Sequence, residues 1–179
     1  MRSPLREMTA AGRAVRFRSV EPSDLEPLLE LNNTVVPNVN LLDIHALRHF
    51  AETAPWFTVA DTSEGPAGFA IVLRPGAAYE SLNYRWFSER YDDFVYIDRI
   101  VIAQDSRRAG LGRAFYERIE QYAWEVKAPI LCAEVNLRPP NLGSIEFHRA
   151  EGFEEVDQLD QLDGKRLAMF VKTLGAPRP

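Results

Sequence analysis

Hydrophobic and polar positions alternate along "AVRFRSV" (14–20), the period of a strand. In "PSDLEPLLELNN" the period lengthens: Leu25, Leu28 and Leu29 share one helical face, and Ser23 and Glu26 stand at capping-box spacing. A second helix is expected from Asp43 to about Ala54, ended by Pro55. "WFTVAD" (56–61) and "AGFAIVL" (67–73), joined by "TSEGP", read as an antiparallel hairpin. The aromatic-rich stretch 74–93 shows neither period and reads as a long loop, a class usually tied to function.

The second half returns to clear periods. "FVYIDRIVI" (94–102) is a strand. Leu111, Phe115, Ile119, Tyr122 and Val126 then repeat at helical spacing up to Pro129. "ILCAEVNL" (130–137) is mostly apolar, as a central strand should be, and "RPPN" breaks it. A short helix over 142–150 is followed by Gly152 in the place of a C-terminal cap. "EEVDQL" and "KRLAMFVKTL" close the chain as a hairpin around Asp163-Gly164. These elements make one domain over 14–174, with a flexible N-terminal tail (1–13) and a C-terminal tail (175–179).

Composition narrows the class. With 46% hydrophobic and 26% charged residues in 179, the chain reads as an ordinary soluble globular domain. A net charge of -5 argues against nonspecific nucleic-acid binding, which needs a broad basic excess. The single cysteine, Cys132, excludes an internal disulfide and reads as a buried small side chain. The N-terminal stretch lacks the apolar core of a secretory signal, and no run approaches membrane-spanning length. The expectation is a cytoplasmic protein with no nucleic-acid or membrane partner. A start at Met8 would also fit the Arg-bearing tail.

Against that acidic balance, "RRAGLGRA" is out of place. It follows a strand and opens a helix, where exposed amides and the macrodipole already make a positive end. Arg107, Arg108 and Arg113 add to it, so an anion belongs there. No Lys-Ser or Lys-Thr follows the glycines, so the Walker pattern fails. The dinucleotide fingerprint also fails, for want of a third glycine and a ribose-binding acid. A tight turn with solvated arginines is the plain alternative.

Context extends the motif. Arg107-x-x-Gly110-x-Gly112 on a strand–loop–helix resembles the acyl-CoA pyrophosphate loop of the GNAT N-acetyltransferase superfamily. "NLGSIEFHRAEGF" (141–153) resembles that superfamily's second block, and the order of elements matches over about 15–174. The resemblance implies an α/β fold: a central mixed β-sheet flanked by helices, splayed between the strands read at 94–102 and 130–137.

It also implies roles. Pantetheine would pair with the backbone of Ile100, Val101 and Ile102, and the amides of Arg107, Arg108, Ala109, Gly110, Leu111, Gly112 and Arg113 would cradle the pyrophosphate. Asn141, Ser144 and Phe147 would line the donor. Asn141 reads equally as a helix N-cap, and Phe147, like Phe153, as core. His148 stands where the family usually has the Tyr that protonates the departing thiolate, and a histidine can also donate a proton. Glu134 and Asp98 are carboxylates inside apolar strands, each a base or a salt-bridge partner, with Glu134 the first choice as base.

The expected function is transfer of an acetyl group from acetyl-CoA, the co-substrate, to a primary amine of a small molecule or peptide, with no metal and a homodimer as one possible state. A non-catalytic acyl-CoA-binding module of the same fold is the alternative, and another phosphate-binding α/β protein a third. His45 and His49 stand at i and i+4 with no third ligand nearby, so a solvated face is expected. The aromatics of 74–93 read as a wall of an acceptor pocket or equally as a lid or dimer contact, and the resemblance implies that the Pro-broken stretch 32–43 borders the acceptor site.

Overall fold

The computed structural model describes residues 8–10 and 12–175. Eight strands form one mixed sheet in the order β1-β2-β3-β4-β5-β6-β8-β7. The chain divides into two compact units, residues 1–71 with 99–115 and residues 72–98 with 116–179. Strands β4 (Gly65–Leu73) and β5 (Val95–Ile102) and helix α4 (Leu111–Glu125) each run through both.

In the first unit, β1 (Met8–Ala10), β2 (Arg13–Ser19) and β3 (Trp56–Thr62) are antiparallel, with Ala10 opposite Arg13 and Arg18 opposite Val59. Met8–Ala10 therefore form an edge strand where a tail was expected, and residues 1–7 lie outside the described residues. Three residues are too few to show a period. The strand exists because β2 offers an edge, and Gly12 turns the chain at φ 78°.

Helix α1 (Leu25–Asn33) follows a 3-10 turn, Pro22–Asp24. Its start is not the Ser23/Glu26 pair: the Asp24 carboxylate accepts from the Glu21 amide at 2.7 Å and from two Arg18 nitrogens at 2.7 and 2.8 Å. Asp24 wins because Arg18, on the paired strand, reaches it and also Asp61 at 3.0 Å. Helix α2 (Ile44–Thr53) begins as expected, with Asp43 accepting from the Ala46 amide at 2.8 Å. Leu28, Leu47, Val59 and Phe69 are fully buried, and Phe17 meets Phe115 edge-on at 5.1 Å.

In the second unit, β6 (Ile130–Arg138) pairs antiparallel with β8 (Arg166–Thr173), which pairs antiparallel with β7 (Glu154–Asp160). The parallel register of β5 with β6 covers Val95↔Leu131 and Tyr96↔Cys132, at the N-terminal ends of both strands. Helix α4 ends at Glu125, and Lys127 follows at φ 59°, two residues before Pro129. Helix α5 (Leu142–Ala150) precedes Gly152 at φ 86°, the expected cap. The stretch 74–93 is not all loop: Leu82–Ser88 form helix α3, with Ser81 at its N-cap. Two turns give too short a window for a helical period. Tyr84 and Phe87 anchor it, both buried. Among the described residues no helix is long and apolar enough to cross a membrane.

Candidate functional site

The arginine-glycine loop lies in the first unit. The Ala103 amide donates to the Ala67 carbonyl at 2.9 Å, and a 3-10 turn (Gln104–Ser106) buries Ser106. Arg107 is extended, and its Nε donates to the Ile102 carbonyl at 3.3 Å. Arg108 then takes φ 63° and Gly110 φ 83°, both left-handed, before α4 starts at Leu111. Left-handed residues ahead of a helix turn consecutive N–H groups to one side, which makes an anion nest. For Arg108 that conformation costs about 1–2 kcal/mol, which local contacts must offset. The side chains of Arg107, Arg108 and Arg113 are exposed, Ala109 and Gly112 are half-buried, and Leu111 is buried as the helix's anchor.

Ile100 and Ile102 are half-buried and Val101 is buried. Behind them stands Gly68, which the sequence reading passed over. A Cβ there would lie 2.7 Å from the Val101 carbonyl oxygen and 3.4 Å from Ile102 Cα. The signal was a lone glycine inside an apolar strand, which marks close backbone approach. The same unit pins the stretch after α1. Buried Arg99 (5% exposed) donates to Asn32 Oδ1 at 2.8 Å and to the Asn40 carbonyl at 3.2 Å. Asn33 exchanges bonds with the Leu42 backbone at 3.3 Å each way.

The candidate acid and bases lie in the second unit. Glu134 is half-buried on β6, and its Oε1 accepts from Asn83 Nδ2 at 2.8 Å and from the Tyr96 hydroxyl at 2.9 Å. Gln161 Nε2 in turn donates to Asn83 Oδ1 at 2.7 Å. Burial, and then the Glu134 charge, push the Tyr96 hydroxyl well above its ordinary value, so it stays a donor. Asp98 is half-buried on β5 and adds to that shift. Asn83, Tyr96 and Gln161 were invisible as site residues, being far from Glu134 in sequence and part of no motif.

Asn141 caps α5, its Oδ1 accepting from the Ser144 amide at 3.3 Å. His148 is 7% exposed, stacked on Phe170 and edge-on to Tyr116 and Phe153. Its Nδ1 donates to the Ser144 carbonyl at 2.7 Å, which fixes the tautomer and leaves Nε2 to accept from the Tyr116 hydroxyl at 2.5 Å. Burial lowers the imidazole pKa, so the ring is neutral. A neutral ring whose only N–H is already donated is poorly suited to protonate a thiolate. This geometry describes a packed polar bridge, and the acid role expected of His148 is left to the test on its variant. Phe147 is half-buried against the Tyr116 ring at 5.2 Å.

The weaker signals resolve simply. His45 and His49 are both exposed on α2, and no group of three or more potential metal ligands occurs among the described residues. Cys132 is fully buried, and burial pushes its thiol pKa far up, so it is no nucleophile. Of the aromatics in 74–93, Tyr84 packs inward, its hydroxyl donating to the Arg74 carbonyl at 2.7 Å, while Trp86 carries Arg90 over its ring at 4.0 Å.

Comparison with known proteins adds an independent line. The acetyltransferase (GNAT) family model matches residues 25–153. Among solved structures, NAA60 of Arabidopsis thaliana with a bisubstrate analogue is similar at TM-score 0.74 and 20% identity, covering 89% of this chain and 97% of that one. Naa20 of Chaetomium thermophilum with a bisubstrate analogue is similar at 0.73 and 19%, covering 89% and 87%. The ribosomal-protein-S18-alanine N-acetyltransferase of Escherichia coli is similar at 0.68 and 17%, covering 92% and 96%. No curated protein matches in sequence.

Proposed function

This chain belongs to the acetyltransferase (GNAT) family, and on that premise we propose that it is an N-acetyltransferase moving an acetyl group from acetyl-CoA to a primary amine. The observation that carries the reading is the loop before α4. Left-handed Arg108 and Gly110, with exposed arginines on either side, suit a dianionic group such as the coenzyme A pyrophosphate. The amides of residues 107–113 would hold it, and the backbone of Ile100, Val101 and Ile102 would pair with the pantetheine arm. Asn141, Ser144 and Phe147 are the further donor-side candidates, with Asn141 committed in part to its cap.

The transfer itself is a direct attack. The amine nitrogen bonds to the thioester carbonyl carbon, the C–S bond breaks, and coenzyme A leaves. An alkylammonium must lose a proton first, and Glu134 is assigned that proton; Asp98 is the second candidate. A thiol titrates near about 8.5, so the leaving thiolate takes a proton from solvent without a dedicated acid. The acceptor is an amine of a peptide or small molecule. The Escherichia coli neighbour, named for the alanine of a ribosomal protein, points toward the former, and the -5 charge favours a cationic one.

A second reading has one observation behind it. With His148 packed as neutral, the chain could bind acyl-CoA without turnover. A thermal melt with acetyl-CoA, followed by an acceptor screen that detects free thiol, tests both. Stabilisation with amine-dependent thiol release supports the enzyme. Stabilisation with no release from any peptide or small amine supports the binding module. No stabilisation at all sinks both.

A further inference from the structure

Glu134 accepts from two segments of its unit, and a third stands behind one of them. Asn83 comes from α3, Tyr96 from β5, and Gln161 acts on Asn83 from the turn between β7 and β8. We propose that Gln161 and Asn83 form a donor relay that orients the Glu134 carboxylate and holds it ionised, which makes both of them positioning residues. This deepens the assignment of Glu134 as proton acceptor and rests on it.

The argument is one of polarity. A primary amide has a donating end and an accepting end. Gln161 presents its NH2 to Asn83 Oδ1 at 2.7 Å, so Asn83 can only present its NH2 to Glu134, at 2.8 Å. Turning Asn83 over would set oxygen against carboxylate and NH2 against NH2, losing both bonds. The Gln161 main chain is fixed, because its N–H donates to the Lys165 carbonyl at 2.8 Å and its C=O accepts from the Gly164 N–H at 3.0 Å. The direction of the two side-chain amides is set from the other end, where a carboxylate can only accept. Asn83 is 6% exposed, so water cannot easily replace either bond. Two donors on Oε1 strengthen with negative charge on that oxygen and so favour the carboxylate, while a neutral carboxyl would have to carry its proton on Oε2.

The surrounding groups agree. Tyr96, Cys132 and Tyr116 all feel the Glu134 charge, and each is pushed upward chiefly by burial, so they stay neutral. Tyr79 and Asp98 act on Tyr96 as well, and Asp98 contributes negative charge to the neighbourhood. Across the ladder on β8 the partner is Met169, which brings no charge. In such a setting, donors are what favour the ionised form.

Carboxyl-carbon NMR of the full chain reads this directly, with Glu134→Gln assigning the signal. The Glu134 titration midpoint should rise by about one pH unit or more in Asn83→Leu, which deletes a charge-assisted bond. Gln161→Glu should raise it too, although it leaves Glu134 untouched. The introduced carboxylate would claim the Asn83 NH2 and turn its oxygen toward Glu134. Gln161→Ala should do less. An unchanged midpoint in folded Gln161→Glu overturns the relay, and that variant carries the test if Asn83→Leu fails to fold. Where turnover is measurable, the acid limb of kcat/KM should move with the midpoint. Full turnover by Glu134→Gln would instead sink the proton-acceptor assignment, an outcome the NMR midpoints tell apart from failure of the relay.

Discussion

The Tyr116 hydroxyl lies 2.5 Å from Nε2 of His148, and the opposite nitrogen of the same ring donates to the Ser144 carbonyl at 2.7 Å. The imidazole is thus held from both ends, as a polar bridge between α4 and α5 within an aromatic cluster. Tyr116→Phe would leave a buried nitrogen without its donor, and the expected cost is about 1–3 kcal/mol in urea unfolding. His148→Gln should lower stability while leaving acetyl-CoA affinity within a few-fold. A large loss of turnover in a stable, ligand-binding His148→Gln would support the acid role.

The same ring sets a pH dependence. Its folded pKa is lowered from an ordinary value of 6.5 chiefly by burial. Below 6.5 the unfolded chain therefore binds a proton that the folded one refuses, and stability falls as pH drops from 6.5 toward the folded value. Above 6.5 this penalty is absent. Unfolding free energies at pH 7 and 5 should differ more in the natural protein than in His148→Gln; equal differences would contradict a buried neutral ring.

Arg108 and Gly110 predict opposite signs at neighbouring positions. Gly110→Ala places a side chain at φ 83°, costing about 1–2 kcal/mol, and should weaken acetyl-CoA binding. A Cβ there meets little but Met8 Cε at 3.6 Å, so the cost comes from backbone conformation and not from crowding. Arg108→Gly relieves φ 63° and should hold or raise the melting temperature, while lost charge weakens ligand binding. Calorimetry with acetyl-CoA and melts without it check the pair.

Gly68→Ala should be harsher. Its Cβ would sit 2.7 Å from a backbone oxygen, which cannot rotate away, so β5 must shift. The expected destabilisation is about 1–3 kcal/mol, with weaker acetyl-CoA binding because Ile100–Ile102 move. Full stability and affinity in that variant would show that β5 is not held by this contact.

Asp24 supplies the acid-side test. It is 5% exposed, and the paired Arg18 guanidinium lowers its pKa below 3.8. A depressed carboxylate contributes stability fully present above 3.8, lost as pH falls through the lower folded value. Asp24→Ala should cost about 1–3 kcal/mol at neutral pH, because half-buried Arg18 loses its most buried partner and keeps Asp61. A cost under 1 kcal/mol, roughly that of an exposed pair, would show the contact to be solvated.

Period and punctuation carried most of the fold into the sequence. The helices at 25–33, 44–53, 111–125 and 142–150 and the strands from 13 to 173 follow from apolar spacing, capping residues and prolines, all local in the chain. The anion loop was legible for the same reason: arginines and glycines within seven residues state their own chemistry. What stayed hidden was short or nonlocal. Three-residue β1 and seven-residue α3 exist because an edge or a core was there to receive them. The bond from Asn83 to Glu134 spans 51 positions and that from Tyr116 to His148 spans 32. Whether a histidine serves as an acid or a packed neutral ring depends on which donors and acceptors folding brings to its two nitrogens. Residue type sets what a group can do, and only the folded surroundings decide which protonation state and partner it takes.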